Sequence, residues 1–240
     1  TILDNDQPEW EYAYQNRIGQ SNWQTFGLVA DGLFQSQEEI DAWPTQKFGE
    51  VKPGDIRYID INGDGVVDDY DKKPIGFPDV PEISYGFGAS VRWKGFDVSI
   101  FFQGIDNVNF FINNSYTQPF IANKTRHSNV FADLYGNYWT EDNRDAKYPR
   151  LTIGSNTNNN QASTFWMVDG RYIRLKNAEI GYTLPKRITN RAHIDRLRIY
   201  VSGVNLLTFS PFKLWDPDLQ TGAAGYPNNR VYNIGATLVF

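Results

Sequence analysis

The stretch VYNIGATLVF, residues 231–240, does most to narrow what this chain can fold into. Tyr232, Ile234, Ala236, Leu238 and Phe240 share one parity. Val231, Asn233, Gly235, Thr237 and Val239 share the other, which is smaller and more polar. Side chains alternate faces along a strand, so one face is apolar and the other mixed. Such a strand either turns its apolar face to a protein core or lies in the wall of a membrane β-barrel, where strands of about ten residues suffice.

The same alternation recurs upstream. ISYGFGASVRW, then Lys94-Gly95, then FDVSIFFQG reads as a β-hairpin with a two-residue turn. Ile83, Tyr85, Phe87, Ala89, Val91 and Trp93 share a face, opposed by Ser84, Gly86, Gly88, Ser90 and Arg92. In the second arm Phe96, Val98, Ile100 and Phe102 are the apolar set, with Phe101 as the exception. Further strands are expected from about Arg171 to Leu184, ended by Pro185, and from Leu197 to about Leu207. Between them run a long aperiodic stretch, residues 104–164, and a Pro- and Gly-rich one, residues 209–229. Short turns alternating with long loops are the sidedness of an outer-membrane barrel, whose long loops are extracellular. Weaker strands are expected around Trp10–Tyr14 and Gln24–Ala30, a helix over residues 36–44 capped by Ser36, and a loop tip at Asn156–Gln161. The fold class is all-β and antiparallel.

Composition excludes several classes. No run approaches the roughly 18 apolar residues of a membrane helix. A mean hydropathy of −0.52 stays compatible with a barrel, whose strands alternate. The chain has no Cys, which argues against a disulfide scaffold and Cys-ligated zinc. A net charge of −5 argues against nucleic-acid binding. No secretory signal is visible at Thr1; either one was removed or the chain is a piece of a longer polypeptide, and the second is the expectation.

DINGDGVVDDYD, residues 60–71, has the ligand spacing of a calcium loop. Asp60, Asn62 and Asp64 stand at positions one, three and five. Gly65 allows the turn, Val66 offers its carbonyl, and Asp68 and Asp71 stand at positions nine and twelve. Aspartate at the last position makes bidentate closure weaker than glutamate would. Helices are not expected on either side, so the cation, calcium, would have a structural, loop-fixing role.

Nothing points to catalysis. His127 and His193 each stand alone, and no nucleophile elbow is present. Glu141-Asp142 and Asp216/Asp218 read as loop polars without a sugar cleft between them. Arg171, Arg174, Lys176, Arg196 and Arg198 would line a lumen or its rim. Tyr116, Phe120, Tyr135, Tyr138, Trp139 and Trp215 read chiefly as loop packing.

A closing strand that ends in Phe is similar to the terminal signal of bacterial outer-membrane proteins. PGDIRYIDINGDGVVDDYDKKPIGFPDVPEISYGFGASVRWKGFDVSIFFQG resembles the SusC/RagA family of TonB-dependent outer-membrane transporters. So do FGLVADGLFQSQEEIDAW upstream, GRYIRLKNAEIGYTLPK and VSGVNLLTFSPF, in the same order. The resemblance implies that residues 1–240 are the C-terminal part of a 22-stranded type of barrel. The plug, TonB box and N-terminal domain would lie elsewhere in the polypeptide. It implies import of glycans or peptides across the bacterial outer membrane. The partners it implies are a SusD-like surface lipoprotein, TonB, outer-membrane lipid and the remainder of the barrel and plug. The rival reading is a secreted, calcium-stabilised β-sandwich that binds carbohydrate.

Overall fold

The computed structural model describes residues 1–3, 10–113, 117, 118, 120, 130–222 and 225–240. They divide into two compact units, residues 81–107 with 170–240, and residues 1–80 with 108–169.

The first of these is a five-stranded antiparallel sheet. Its strands are β1 (Ile83–Trp93), β2 (Phe96–Asp106), β3 (Tyr172–Thr183), β4 (Arg196–Phe209) and β5 (Val231–Val239), in spatial order β5-β4-β3-β2-β1. Lys94 and Gly95 both take positive φ, 47° and 91°, as the tight turn matched to strand twist requires. Directly paired residues share a face. Val91, Val98, Ile180, Val201 and Ile234 therefore form one continuous apolar row across all five strands. Trp93, Phe96, Tyr182, Ile199 and Ala236 form the next row. These side chains stay open to the surroundings: Phe87 is 55% exposed, Val91 64% and Ile234 80%.

The alternation in β3 was clean only beyond Ala178 for a structural reason. The register shifts between Leu175 and Asn177, leaving Lys176 as a bulge residue. The bulge inverts parity, so Ile173 and Leu175 join Ala178 and Ile180 on the apolar face despite their odd spacing. Phe101, the exception in β2, points to the polar face. It lies against Gly86 and Gly88 of β1, where a Cβ would strike its ring.

The second unit has little regular structure and a dense core. Leu28, Phe34, Ile56, Tyr58, Val67, Phe110, Leu134, Tyr148 and Trp166 are buried in it. The helix Gln37–Ala42 forms where expected, with the Ser36 side chain accepting from the Glu39 N–H at 3.3 Å. The strand expected at Trp10–Tyr14 does not form. A short 3-10 turn, Ala13–Gln15, stands there instead. Its Gln15 side chain donates to the Asp69 and Tyr70 carbonyls, a side-chain anchor that leaves no ladder to extend.

Asn156–Gln161 is not a loop tip. Asn158 and Asn159 are buried, at 0% and 4% exposure. Their amides stand in for a neighbouring strand beside Ile56–Tyr58. Asn159 Oδ1 accepts from the Ile56 N–H at 2.8 Å, and Asn158 Nδ2 donates to the Ile56 carbonyl at 2.9 Å. Gln46 completes the set, accepting from the Tyr58 N–H at 2.6 Å. Asn159 Nδ2 also donates to Asp55 at 2.8 Å. That fully buried carboxylate is further held by Arg150 at 2.8 Å, Asn156 and the Lys52 N–H. Asparagine-rich sequence signals exposure only when its amides lack such backbone partners.

Two outcomes are expected. Asn159→Leu strands the Ile56 N–H and one donor to Asp55, and should lower stability by about 2–3 kcal/mol in thermal unfolding. The second concerns Asp133. Hydrogen bonds from Lys147 and then Tyr148 hold its carboxyl below the usual carboxylate range. A depressed folded pKa gives stability that is present above the unfolded value of about 3.9 and lost as pH falls through the folded one. The melting-temperature advantage of the native chain over Asp133→Asn should therefore hold from neutral pH to about pH 5 and shrink below about pH 4.

Candidate functional site: the polar face of the sheet and the acidic loop

The polar face of the sheet is organised around Arg198 on β4. Its guanidinium donates from Nε to Asp97 Oδ1 of β2 at 3.0 Å, and its Nη2 donates both to Asp97 Oδ2 and to Glu179 of β3, the latter at 2.6 Å. β3 lies between β4 and β2, so the side chain must cross it. Gly181 allows the crossing. It is paired with Asp97 on one side and Tyr200 on the other, and a Cβ there would strike the guanidinium. The Arg198 charge also sits 4.9 Å from the Tyr200 ring centre. That ring in turn occupies space that only Gly235 of β5 leaves open. One cation thus ties three strands through two glycines.

Arg174 on β3 anchors the connection between β4 and β5. It is 2% exposed, donates to Asp216 at 2.6 Å and Asp218 at 2.8 Å, and its Nε reaches Thr208 at 3.0 Å. Asp216 caps the 3-10 turn Pro217–Leu219, which contains Asp218. The carboxylate pair read as loop polars is therefore the counter-charge of a buried arginine. Breaking such a pair by removing one partner is costly, about 3–5 kcal/mol. The sequence signal lay in the Asp-Pro-Asp spacing, but the partner is more than forty residues away, at |i−j| of 42. Trp215 packs on Phe212 and donates to the Gln220 carbonyl. Trp139 is buried, while Tyr135 is 79% exposed. His193 lies in the turn before β4, with a φ of 56°. His127 and Tyr116 fall outside the described residues.

The loop 60–71 folds on its own carboxylates. Asp60 accepts from the N–H groups of Gly63 at 2.7 Å and Gly65 at 2.8 Å. Asn62 accepts from the Asp64 N–H and Asp64 from the Val66 N–H. Val66 opens a two-residue strand parallel to Thr45–Gln46. Asp68 caps the 3-10 turn Asp69–Asp71, and Asp71 returns a bond to the Asp68 N–H. Asp71 is fully buried and also accepts from the Ile61 N–H at 2.7 Å. Lys47 meets Asp68 at 3.3 Å. An oxygen that accepts one N–H retains a lone pair for a cation. Among the described residues, no three acidic or histidine side chains converge closely enough to hold a metal. Asn62 and the Val66 carbonyl are ligands of other kinds.

Three tyrosines adjoin this loop. Tyr12 and Tyr14 stack at 5.4 Å, and Tyr70 meets Tyr12 edge-on at 6.0 Å. Asn62 donates to the Tyr12 hydroxyl. Desolvation first, then the negative field of Asp71, Asp60 and Asp64, pushes the Tyr14 phenol up to about 12.

A sheet with one continuous apolar face and one polar face laced by ion pairs has the construction of a β-barrel wall. Comparison with known proteins narrows that class. No protein-family model matches the chain. It is 29% identical over 238 residues to TonB-dependent receptor P3 of Formosa agariphila, covering 93% of this chain and 23% of that receptor. It is 23% identical over 223 residues to TonB-dependent receptor SusC of Bacteroides thetaiotaomicron, covering 89% of this chain and 20% of SusC. It shares its fold with the RagAB peptide transporter, with a TM-score of 0.66 at 24% identity, over 92% of this chain and 23% of that one. The chain is thus a relative of the SusC/RagA-type TonB-dependent transporters. It spans about a fifth to a quarter of the length of the relatives it matches.

The Arg198 crossing yields its own test. Gly181→Leu should block the Arg198 crossing and destabilise the sheet by about 1–3 kcal/mol, the usual range for forcing extra carbons into packed space. Arg198→Met combined with Gly181→Leu should fare better than Gly181→Leu alone, as read by denaturation of the detergent-extracted protein.

Proposed function

We propose that this chain forms part of the wall of an outer-membrane importer energised through TonB. The observation that carries this reading is the apolar face of the five-stranded sheet. The ten rises between the eleven residues of β1 span about 33 Å at roughly 3.3 Å each, and a tilt near 40° projects that to about 25 Å, the height of a barrel's apolar band. Aromatics stand toward both ends of the band, Tyr85 and Phe209 at one and Trp93, Phe96 and Tyr182 at the other. Both long connections of the sheet leave from one end and both short ones from the other, which matches extracellular loops and periplasmic turns. In this reading the polar face of Arg198, Asp97 and Glu179 lines the lumen.

The names of the relatives, TonB-dependent receptor and peptide transporter, support TonB-dependent transport; to this we add a SusD-like surface lipoprotein over the long loops and TonB acting through other parts of the polypeptide. The edges of β1 and β5 carry unpaired backbone groups, which lipid does not tolerate, so further strands of the same barrel must close them. The RagAB structures are named for peptide transport and SusC bears its own name. Glycan or peptide cargo is the substrate class we assign, and no catalytic role. A secreted carbohydrate-binding sandwich would need a second sheet covering Phe87, Val91 and Ile234, and these residues are exposed.

The apolar face gives the decisive measurement. Arg in place of Phe87 or Ile100 should cost about 2–4 kcal/mol near the bilayer midplane. The same substitution at Ser90, on the polar face, should cost far less. Equal effects at both positions in a lipid-reconstituted unfolding titration would refute the wall assignment.

We also assign calcium to the loop 60–71, in a structural role. The hydrogen-bonded turn of Asp60 over Gly63 and Gly65 supports this, since it brings alternate oxygen donors into a tight loop. Asp60, Asn62, Asp64, Asp68, Asp71 and the Val66 carbonyl would hold the ion. Terbium, which takes calcium sites, should luminesce when Tyr12, Tyr14 or Tyr70 is excited. The signal should fall on adding calcium and be absent in Asp60→Asn/Asp64→Asn. Chelation should loosen this loop and leave the five-stranded sheet intact. Terbium emission unchanged by the double substitution would sink the assignment.

A further inference from the structure

The apolar face does not run flat to its end. Where the long connections leave the sheet, it sinks into a groove of about 440 Å³ lined by Tyr85, Asp106, Arg171, Ile173, Phe209 and Lys213. Register places three of its lining residues on the apolar side. Tyr85 pairs with Gly104, Gly104 with Ile173, and Ile173 with Phe209, so Tyr85, Ile173 and Phe209 share a face. Arg171 lies two residues before Ile173, and Asp106 two after Gly104, both continuing that parity. The depression follows from Gly104. A Cβ there would strike the Tyr85 ring, so the ring lies down over β2 instead of standing away from it.

Two exposed cations, Arg171 and Lys213, stand where the apolar surface stops. The Arg171 carbonyl accepts from the Ser210 hydroxyl at 2.8 Å, which ties position 171 to the segment that carries Lys213. In a bilayer this level is the headgroup layer, where phosphates meet basic side chains and aromatics anchor. Asp106 is the third charge, its carboxylate accepting from the Asn107 N–H at 2.9 Å. It opposes a bare anion and suits a ligand that also carries hydroxyl or ammonium donors. The volume lies within the range of small-molecule sites and exceeds what a single phosphate ion fills.

We propose that this groove seats the phosphorylated, donor-bearing headgroup of a membrane lipid. The phosphate lies between Arg171 and Lys213, Asp106 accepts from the headgroup's donors, and the acyl chains run along Tyr85, Ile173 and Phe209. This rests on the reading of the apolar face as the lipid-facing side of a barrel wall.

The test uses the full-length polypeptide in nanodiscs of phosphatidylcholine doped with lipid A, a phosphorylated glucosamine lipid, with bound lipid read by native mass spectrometry. The native protein should retain lipid A in preference to phosphatidylcholine, which lacks hydrogen-bond donors on its headgroup. Arg171→Gln/Lys213→Gln should retain at least about fivefold less, as expected for losing charge-assisted hydrogen bonds. Lys94→Gln, at the other end of the sheet, should retain as much as the native protein. Equal retention by the double variant overturns the proposal, as does displacement of lipid A by millimolar inorganic phosphate, which would mark a site for free anions. A protein that enters the nanodisc but retains no lipid A overturns this inference alone. A protein that fails to enter the bilayer overturns the membrane reading with it.

Discussion

Everything in the sheet depends on its register. Five strands paired residue to residue put Val91, Val98, Ile180, Val201 and Ile234 in one row. A slip of one residue at any pairing would move a whole strand's apolar set to the salt-bridged side. The register is held by more than the ladder. Arg198 fits across Gly181 only when β2, β3 and β4 are aligned as they are, because Asp97 and Glu179 must both lie within its reach. Phe101 against Gly86 and Gly88 performs the same service between β1 and β2, with an aromatic ring in place of a charge. Glycine on the polar face is thus a positional requirement at Gly86, Gly88 and Gly181.

The strands were legible because period-two alternation is a local property. Lys94-Gly95, Pro185 and the rows around Ile100 and Ile234 each announce themselves within about ten residues. The bulge at Lys176 blurred the signal because one inserted residue inverts parity without changing composition. The ion pairs were invisible for the opposite reason. Arg198 and Asp97 are separated by 101 positions, and Arg174 and Asp216 by 42, so no local pattern joins them. Asn156–Gln161 misled because polar sequence correlates with exposure. Asn158 and Asn159 are buried as substitutes for main chain, and only the geometry of Ile56–Tyr58 reveals it. In the acidic loop the spacing of donors was readable, whereas Tyr12, which packs on its Tyr70 and accepts from its Asn62, comes from fifty positions upstream.

The two units use opposite strategies for satisfying the main chain. The sheet pairs strand with strand and leaves its side chains to face two different surroundings. The irregular unit buries hydrophobic residues around backbone that has few strand partners, and it satisfies that backbone with amide and carboxylate side chains. Asp55 is the extreme case, a fully buried charge surrounded by donors from Arg150, Asn156, Asn159 and Lys52. Burial of this kind is tolerable only when every oxygen is engaged. The arrangement makes a compact, sequence-specific structure from a segment whose composition reads as loop.

The insertion of residues 108–169 between β2 and β3 has a kinetic consequence. The hairpin β1–β2 closes a two-residue loop and can form within microseconds. The pairing of β2 with β3 brings together residues that stand far apart in the chain, Tyr172 with Ile105 and Tyr182 with Phe96. While the intervening segment is a coil, closing that loop carries an entropic cost that grows with its length. The bonds that tie Asn158 and Asn159 to Ile56 and Asp55 fix part of that segment, which shortens the effective loop. Substitutions at Asn158 or Asn159 are therefore expected to slow the pairing of β2 with β3, because a looser intervening segment raises the cost of closing that loop.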